Sequence, residues 1–165
     1  MNLLSSIKIL FLSTLISFSA FGSDDNIIVK TLTLKASQSD VWKALTTAEE
    51  LGKWWGPGVR LEPKKGGQFY EPWGNDQLAT GVVLNIKTGD SIRFTWQEKT
   101  WQPEQKTVCE FMLKHAGGVT TLTVRHSGWE SFTVAEARRR VIEGFKIGWD
   151  RVVLSKLSKY FEDRN

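Results

Sequence analysis

The chain has 165 residues, which is enough for one domain of ordinary size. Its formal net charge of +4 is small and its basic residues are spread along the chain, so neither a long basic stripe nor a recognition module indicates nucleic-acid binding. The single cysteine, Cys109, excludes an intramolecular disulfide bond, and the fold must therefore be stabilised by a packed core.

The N-terminal segment has the pattern of a secretory signal peptide. Lys8 is followed by an uncharged apolar run over residues 9–21, and the small residues of Ala20-Phe21-Gly22 precede a polar start. The run is shorter than the ~20 residues that span a bilayer. We therefore expect residues 1–22 to be a signal peptide and residues 23–165 to be a single exported domain, periplasmic or secreted, without a stable membrane span. An uncleaved anchor is the alternative.

The mature chain begins with a predicted strand and two short helices. Alternating β-branched residues over 26–34 predict the strand. Ser39-Asp40 is predicted to cap a helix over 41–45, and Thr47 to start a second helix over 48–54. The Gly-Pro-Gly sequence at 56–58 then ends the helical region.

Six further strands are predicted, separated by glycine-rich turns that predict an antiparallel meander. They cover residues 59–62, 68–72, 77–87, 91–96, 107–115 and 120–127.

A long helix is predicted to close the chain. Thr133 and Glu136 fit a capping box, and residues at spacings of three and four from Val134 to Val153 form one apolar stripe. The helix is predicted to end at about Phe161. Because a curved sheet must cover its apolar face, we expect an α+β fold in which this helix packs across the sheet.

Five sequence blocks, taken together in this order, are characteristic of one known family. The blocks are VWKALTTAEELGKWWGP (41–57), GGQF (66–69), GVVLNIKTGDSIRFTW (81–96), TTLTVRHSGW (120–129) and GWDRVVLSKL (148–157). They cover nearly the whole mature chain and resemble the activator of heat-shock-protein-ninety ATPase homologue-like branch of the START-like (SRPBCC, polyketide cyclase-like) superfamily. The resemblance implies a helix-grip fold, in which a curved seven-stranded antiparallel sheet surrounds a long C-terminal helix and a cavity.

The resemblance implies a hydrophobic or aromatic small molecule as the ligand, because members of the superfamily bind lipids, sterols or polyketides. A few members are cyclases, so a cyclase or hydrolase using the same cavity is an alternative, as is a protein-interaction module. A cytosolic chaperone partner is not expected for an exported chain. No cofactor motif is recognised.

Cys109 and His126 are predicted to be cross-strand neighbours on the inner face of the sheet. A two-residue turn at Gly117-Gly118 pairs them and also pairs Phe111 with Val124. A thiol beside an imidazole is a candidate nucleophile, although a buried structural cysteine is the favoured interpretation. His115 lies at the turn, so too few ligands converge for a metal site.

Glu71 is the second candidate catalytic residue. It shares strand parity with the inward-facing Phe69, and a carboxyl group in an apolar cavity could act as an acid or base with His126. Alternatively, Glu71 lies at a strand end with access to solvent, because Pro72 follows directly.

The tryptophans suggest an aromatic-lined cavity. Of the adjacent pair Trp54 and Trp55, one is expected to anchor the short helix in the core and the other to line the cavity entrance, with Trp73 as a second lid residue. The complete predicted ligand-binding set is Trp55, Phe69, Glu71, Trp73, Trp96, Phe111, His126, Phe145 and Trp149.

Overall fold

The computed structural model describes residues 26–164. The signal peptide predicted over residues 1–22 lies outside the described residues. Within them, no helix combines the length and the apolar character needed to cross a membrane.

Seven strands form one curled antiparallel sheet in the order β1-β7-β6-β5-β4-β3-β2. The seven-stranded antiparallel sheet is the one that the resemblance implied. Strands β2 to β7 follow one another as a meander, and β1 joins it by pairing with β7. The strands are β1 (Ile28–Leu34), β2 (Arg60–Leu61), β3 (Gln68–Gly74), β4 (Gln77–Lys87), β5 (Ser91–Glu98), β6 (Thr107–Ala116) and β7 (Val119–Ser127).

The register of the β6–β7 hairpin is set by its turn. Gly117 and Gly118 both have positive φ angles, of 60° and 80°, which glycine adopts without steric penalty. The predicted pairing is confirmed, because Cys109 lies opposite His126 and Phe111 lies opposite Val124. Burial alternates residue by residue along both strands, so these four side chains share the inner face.

The two short helices are α1 (Gln38–Thr46) and α2 (Ala48–Trp54). The predicted cap at Ser39-Asp40 is wrong. Ser37 is the N-cap of α1, and its hydroxyl oxygen accepts a hydrogen bond from the Asp40 backbone N–H at 3.1 Å. The helix consequently starts three residues earlier than predicted.

The closing helical region is continuous but not uniformly α-helical. It consists of α3 (Ala135–Trp149), a π-helical segment (Asp150–Leu157) and α4 (Ser158–Glu162). The predicted capping box is wrong, since Val134 occupies the N-cap position and its side chain cannot accept a hydrogen bond. Glu136 instead accepts hydrogen bonds from the guanidinium groups of Arg139 and Arg140.

Polar contacts hold the C-terminal helical region against the rest of the fold. Lys30 of β1 forms an ion pair with Asp150. The Lys156 ammonium group donates to the Trp55 carbonyl oxygen at 3.0 Å. Near the C-terminus, the hydroxyl of Tyr160 donates to the Glu50 carboxylate. The helix is thus fixed to β1 and α2 while its middle crosses the concave face of the sheet.

The Glu50 contact predicts a pH-dependent contribution to stability. The hydrogen bond from Tyr160, supported by Lys53, lowers the pKa of Glu50 from 4.5 to about 2. Because the pKa of Glu50 is lower in the folded state than in the unfolded chain, ionised Glu50 stabilises the fold above pH 4.5. This contribution is lost as the pH falls towards 2. We expect Glu50→Gln to reduce the free energy of unfolding by about 1 kcal/mol at neutral pH, because solvent screens this surface network.

Chemical denaturation across that pH range measures the effect. Glu49→Gln is the matched control, because Glu49 precedes Glu50 in α2 and pairs only with exposed Lys53. If Glu50→Gln reduced the free energy of unfolding as much at the lowest pH as at neutral pH, the interpretation would be contradicted.

Candidate functional site

A cavity of about 340 Å³ lies between the concave face of the sheet and the C-terminal helical region. The sheet contributes side chains from β3 and β5, the chain after α2 contributes Trp55, and α3 with the π-helical segment forms the opposite wall. The lining residues are Trp55, Glu71, Trp73, Trp96, Glu98, Trp101, Val141, Gly144, Phe145, Gly148, Trp149, Arg151 and Val152.

Strand register places two carboxyl groups on the same wall. Glu71 of β3 lies opposite Ala79 of β4, and Ala79 lies opposite Glu98 of β5. Residues aligned across neighbouring strands point to the same face, so both carboxyl groups flank the small Ala79 side chain. Trp96, two residues before Glu98, shares that face.

Six aromatic side chains make the cavity wall predominantly apolar. Trp55 stacks on Trp96 with ring centroids 6.2 Å apart, and its ring lies 5.7 Å from that of Trp149. The Trp96 ring lies 5.6 Å from Phe145. Trp73 is 44% exposed, which places it at the mouth of the cavity. The rings therefore form a continuous surface against which a flat apolar molecule can pack.

Two helix glycines leave space beside this aromatic surface. A Cβ atom placed at Gly144 or Gly148 would meet no atom of residues 26–164 within 4 Å, apart from the backbone of the helix itself and the neighbouring residues. Glycine inside a helix is less stable than alanine by about 1 kcal/mol. The helix thus carries two unfavourable residues where any side chain would enter the cavity.

Glu71 is buried with one of its oxygens unpaired. Its Oε1 accepts a hydrogen bond from the Trp55 indole N–H at 2.5 Å, whereas Oε2 has no hydrogen-bond partner among the described residues. Burial raises the pKa of Glu71; the indoles of Trp73 and Trp55 and the charges of Lys156 and Arg151 oppose that shift only in part.

Glu98 has the second perturbed carboxyl group. Burial, reinforced by the charge of Glu71, raises its pKa from 4.5 to about 7, although the nearby Trp101 indole acts in the opposite direction. Near neutral pH the Glu98 carboxyl group is therefore partly protonated.

A buried donor is also unpaired at this wall. Trp96 is 3% exposed, and its indole N–H has no acceptor within the described part of the chain. Glu71 and Trp96, two residues that line the cavity, thus each carry one buried polar atom for which the described residues supply no hydrogen-bond partner.

His126 does not line the cavity, and both of its ring nitrogens are engaged. Burial lowers its pKa to about 3, so the imidazole is neutral. The Trp149 indole can only donate, at 3.1 Å to Nδ1. The ring proton is therefore on Nε2, which donates to the Thr107 hydroxyl oxygen at 2.7 Å. The proposed Glu71–His126 acid–base pair is not supported by this arrangement.

Cys109 lies on the same inner face of the sheet as His126, which is its partner across the β6–β7 hairpin. The side chain is fully buried, and burial raises the pKa of its thiol. His126 cannot activate this thiol because its only acceptor nitrogen is occupied by Trp149. The structural interpretation of Cys109 is the one that the geometry favours.

The structure brings together part of the predicted ligand-binding set. Phe69, Phe111 and His126 belong to the core behind the cavity wall, because Trp55 and Trp149 cover them. The predicted residues that do line the cavity are Trp55, Glu71, Trp73, Trp96, Phe145 and Trp149. Trp54 instead anchors α2, with its indole donating to the Ala44 carbonyl oxygen at 2.9 Å.

Sequence reasoning missed Glu98 and Trp101. The predicted β5 ended at residue 96, but the strand continues to Glu98, which keeps the inward parity of Phe94 and Trp96. Extending this alternation from Trp96 by two residues would have predicted that Glu98 faces inward. Trp101 follows in a turn, where no periodicity indicates a direction. The described residues contain no group of three or more histidine, cysteine, aspartate or glutamate side chains that could hold a metal ion.

The fold and its cavity are those of a helix-grip protein. Residues 35–162 match the family described as activator of Hsp90 ATPase homolog 1-like protein. The chain belongs to this family, as the sequence blocks indicated. A comparison with curated proteins gives no match.

Solved structures share the fold at low sequence identity. DynU16, a protein in the dynemicin biosynthetic locus, is 20% identical with a TM-score of 0.69; the alignment covers 83% of this chain but 47% of DynU16, so the chain spans about half of that protein. A Mesorhizobium loti protein is 22% identical with a TM-score of 0.68 and coverages of 84% and 98%. The Aha1 dimer from Colwellia psychrerythraea is 23% identical with a TM-score of 0.64 and coverages of 82% and 96%.

The raised pKa of Glu98 predicts that this residue destabilises the fold at alkaline pH. A folded-state pKa of about 7 against 4.5 in the unfolded chain means that stability is lost as the pH rises through this interval. We expect Glu98→Gln to increase the free energy of unfolding by about 1–2 kcal/mol at pH ~8, discounted for partial exposure, and to have little effect at pH ~4.

Thermal melting at both pH values measures this difference. Glu130→Gln, which removes the same charge at an exposed site, is the control. Equal effects of Glu98→Gln at both pH values would contradict the assignment.

Proposed function

We propose that the protein is an exported binding domain that holds a hydrophobic or aromatic small molecule in this cavity. The observation that carries the proposal is the pair of unpaired buried polar atoms, Glu71 Oε2 and Trp96 Nε1, on two residues that line a largely aromatic cavity. A buried polar group without a partner costs about 1–3 kcal/mol. A ligand that hydrogen-bonds to both atoms would recover this free energy.

The size and lining of the cavity support the same function. Its volume of about 340 Å³ lies at the lower end of the ~300–1,000 Å³ typical of small-molecule sites, which are mostly apolar with a few placed polar groups. The vacant space beside Gly144 and Gly148 adds to this argument, since an alanine at either position would favour the helix.

Export is proposed because residues 1–22 contain a charged residue, then an apolar run and then small residues, which is the order found in a signal peptide. N-terminal sequencing of protein recovered outside the cytoplasm tests it, and an intact Met1 would contradict it.

Family membership gives a second candidate, an activator-like contact with an Hsp90 ATPase. The two candidates are separated by adding the purified protein to Hsp90 and measuring ATP hydrolysis. Stimulation would favour the second candidate, particularly if residues 1–22 proved not to be removed.

Native mass spectrometry tests small-molecule binding directly. We expect protein purified from its native source to carry a mass above that of the denatured chain, because a ligand in an aromatic cavity dissociates slowly once its polar groups are paired. Releasing that mass identifies the chemical class of the ligand. A mass equal to that of the bare chain, in protein that also fails to take up added apolar molecules, would contradict the proposal.

The helix glycines predict opposite effects on stability and binding. We expect the double variant Gly144→Ala/Gly148→Ala to raise the free energy of unfolding by about 0.5–1 kcal/mol per site. Ligand occupancy should fall, because both methyl groups would project into the cavity.

Gly52→Ala is the matched control. Gly52 also lies in a helix with no described atom within 4 Å of an added Cβ, but it does not line the cavity. This variant should gain stability and keep full occupancy. Unchanged occupancy in the double variant would place the ligand elsewhere.

A further inference from the structure

We infer that the ligand is an organic cation, an aromatic or apolar molecule whose protonated amine or quaternary ammonium group lies between Glu71 and Glu98 and against the tryptophan faces. This inference rests on the proposed small-molecule binding and adds the charge of the ligand to it.

The first argument is the placement of the two carboxyl groups. Glu71 and Glu98 lie on either side of Ala79, two strand spacings apart, so their Cα atoms are about 10 Å from each other. Ala79 itself is fully buried, whereas Glu71 and Glu98 both line the cavity, so the two carboxyl-bearing side chains reach the same space from the two outer strands. A positively charged group in that space would contact both carboxylates.

The second argument is that neither carboxylate is neutralised by the protein. No lysine or arginine nitrogen of residues 26–164 lies within 4 Å of Glu71 or Glu98, whereas ten such pairs occur elsewhere in the described chain. Lys156, the cation with the larger effect on Glu71, donates to the Trp55 carbonyl oxygen instead. Neither acid is therefore held in an ion pair by a lysine or arginine of residues 26–164, so a cationic ligand would be the direct counter-charge of both.

The third argument is the chemistry of the wall. Trp55, Trp73, Trp96, Trp101 and Trp149 account for five of the eight tryptophans in the chain. Tryptophan has the most favourable ring face for cations, and the attraction grows when the cation is desolvated. Aromatic faces combined with carboxylates favour an organic cation over a neutral molecule of the same shape.

Arg151 is the charged cavity residue that opposes this arrangement. It is exposed, and its charge lowers the pKa of Glu71 from a distance rather than through an ion pair. An anionic ligand that approached Arg151 would also face Glu71 and Glu98, which line the same cavity and would repel it when ionised. Replacing Arg151 should therefore strengthen the binding of a cation and weaken that of an anion.

Cation binding should also depend on pH. Both carboxyl groups have raised pKa values, with that of Glu98 at about 7, so a bound cation must displace protons from them. His126, buried behind the wall with a pKa of about 3, does not titrate in this range. Arg151 and Lys156 are the cations whose charges act on Glu71. The affinity for a cation should rise about tenfold between pH ~6 and ~8.

Three probes of one shape and different charge test the inference: 2-naphthylmethylamine, 2-naphthalenemethanol and 2-naphthoate. Isothermal titration calorimetry of the purified protein measures each dissociation constant near pH 6 and pH 8. We expect the amine to bind about tenfold more tightly than the alcohol near pH 8, and the naphthoate most weakly.

Variants assign the effect to the carboxyl groups. Glu71→Gln and Glu98→Gln should each remove most of the preference for the amine and flatten its pH dependence, while the affinity for the alcohol changes little. Arg151→Gln should increase the affinity for the amine. Glu130→Gln is the control for charge alone, because Glu130 is exposed and does not line the cavity. Thermal melting establishes that each variant is folded.

The possible outcomes distinguish an error in the inferred charge of the ligand from an error in the proposed small-molecule binding. Alcohol binding equal to or tighter than amine binding would overturn the cationic ligand and leave small-molecule binding in place. An amine preference that survives in both glutamine variants would also overturn it. Failure of all three probes to bind would contradict the proposed function and the inference together.

Discussion

The contact between Trp149 and His126 is the constraint on which the cavity depends. The indole of Trp149 can only donate, so it fixes the proton of the neutral imidazole on the opposite nitrogen. That nitrogen donates to Thr107, whose hydroxyl donates to the Trp96 carbonyl oxygen at 3.3 Å. One chain of buried hydrogen bonds thereby links the closing helix to β7, β6 and β5, and fixes the position of the helix above the sheet.

The aromatic wall and the vacant space both follow from this attachment. With Trp149 fixed, Trp55 packs against both Trp149 and Trp96, which also contact each other. The ion pair of Lys30 with Asp150 and the hydrogen bond from Lys156 hold the helix farther along its length. These contacts keep the helix from moving into the space beside its glycines, so the cavity stays open. The fold therefore lacks the side-chain packing that closing the cavity would provide.

The fold was predictable where a single local feature decides the geometry. The Gly117-Gly118 turn determines the β6–β7 register, and parity then determines which face each side chain occupies. The site was less predictable because parity says that a residue points inward, not what covers it. Phe69 and His126 do point inward, yet tryptophans from other elements lie over them. Glu98 was missed because the length of β5 depends on pairing with β4, which sequence alone does not fix.

The clustering of indole rings also has an optical consequence. Trp54 and Trp55 lie with ring centroids 5.4 Å apart, and Trp55 stacks on Trp96 with an interplanar angle of 20°. Indole transition dipoles held this close in a fixed, chiral arrangement couple electronically, so we expect the domain to show an exciton signature in circular dichroism that isolated tryptophans lack. Because Trp55 and Trp96 line the cavity, a molecule that reoriented either ring would change this spectrum and could be detected without a label.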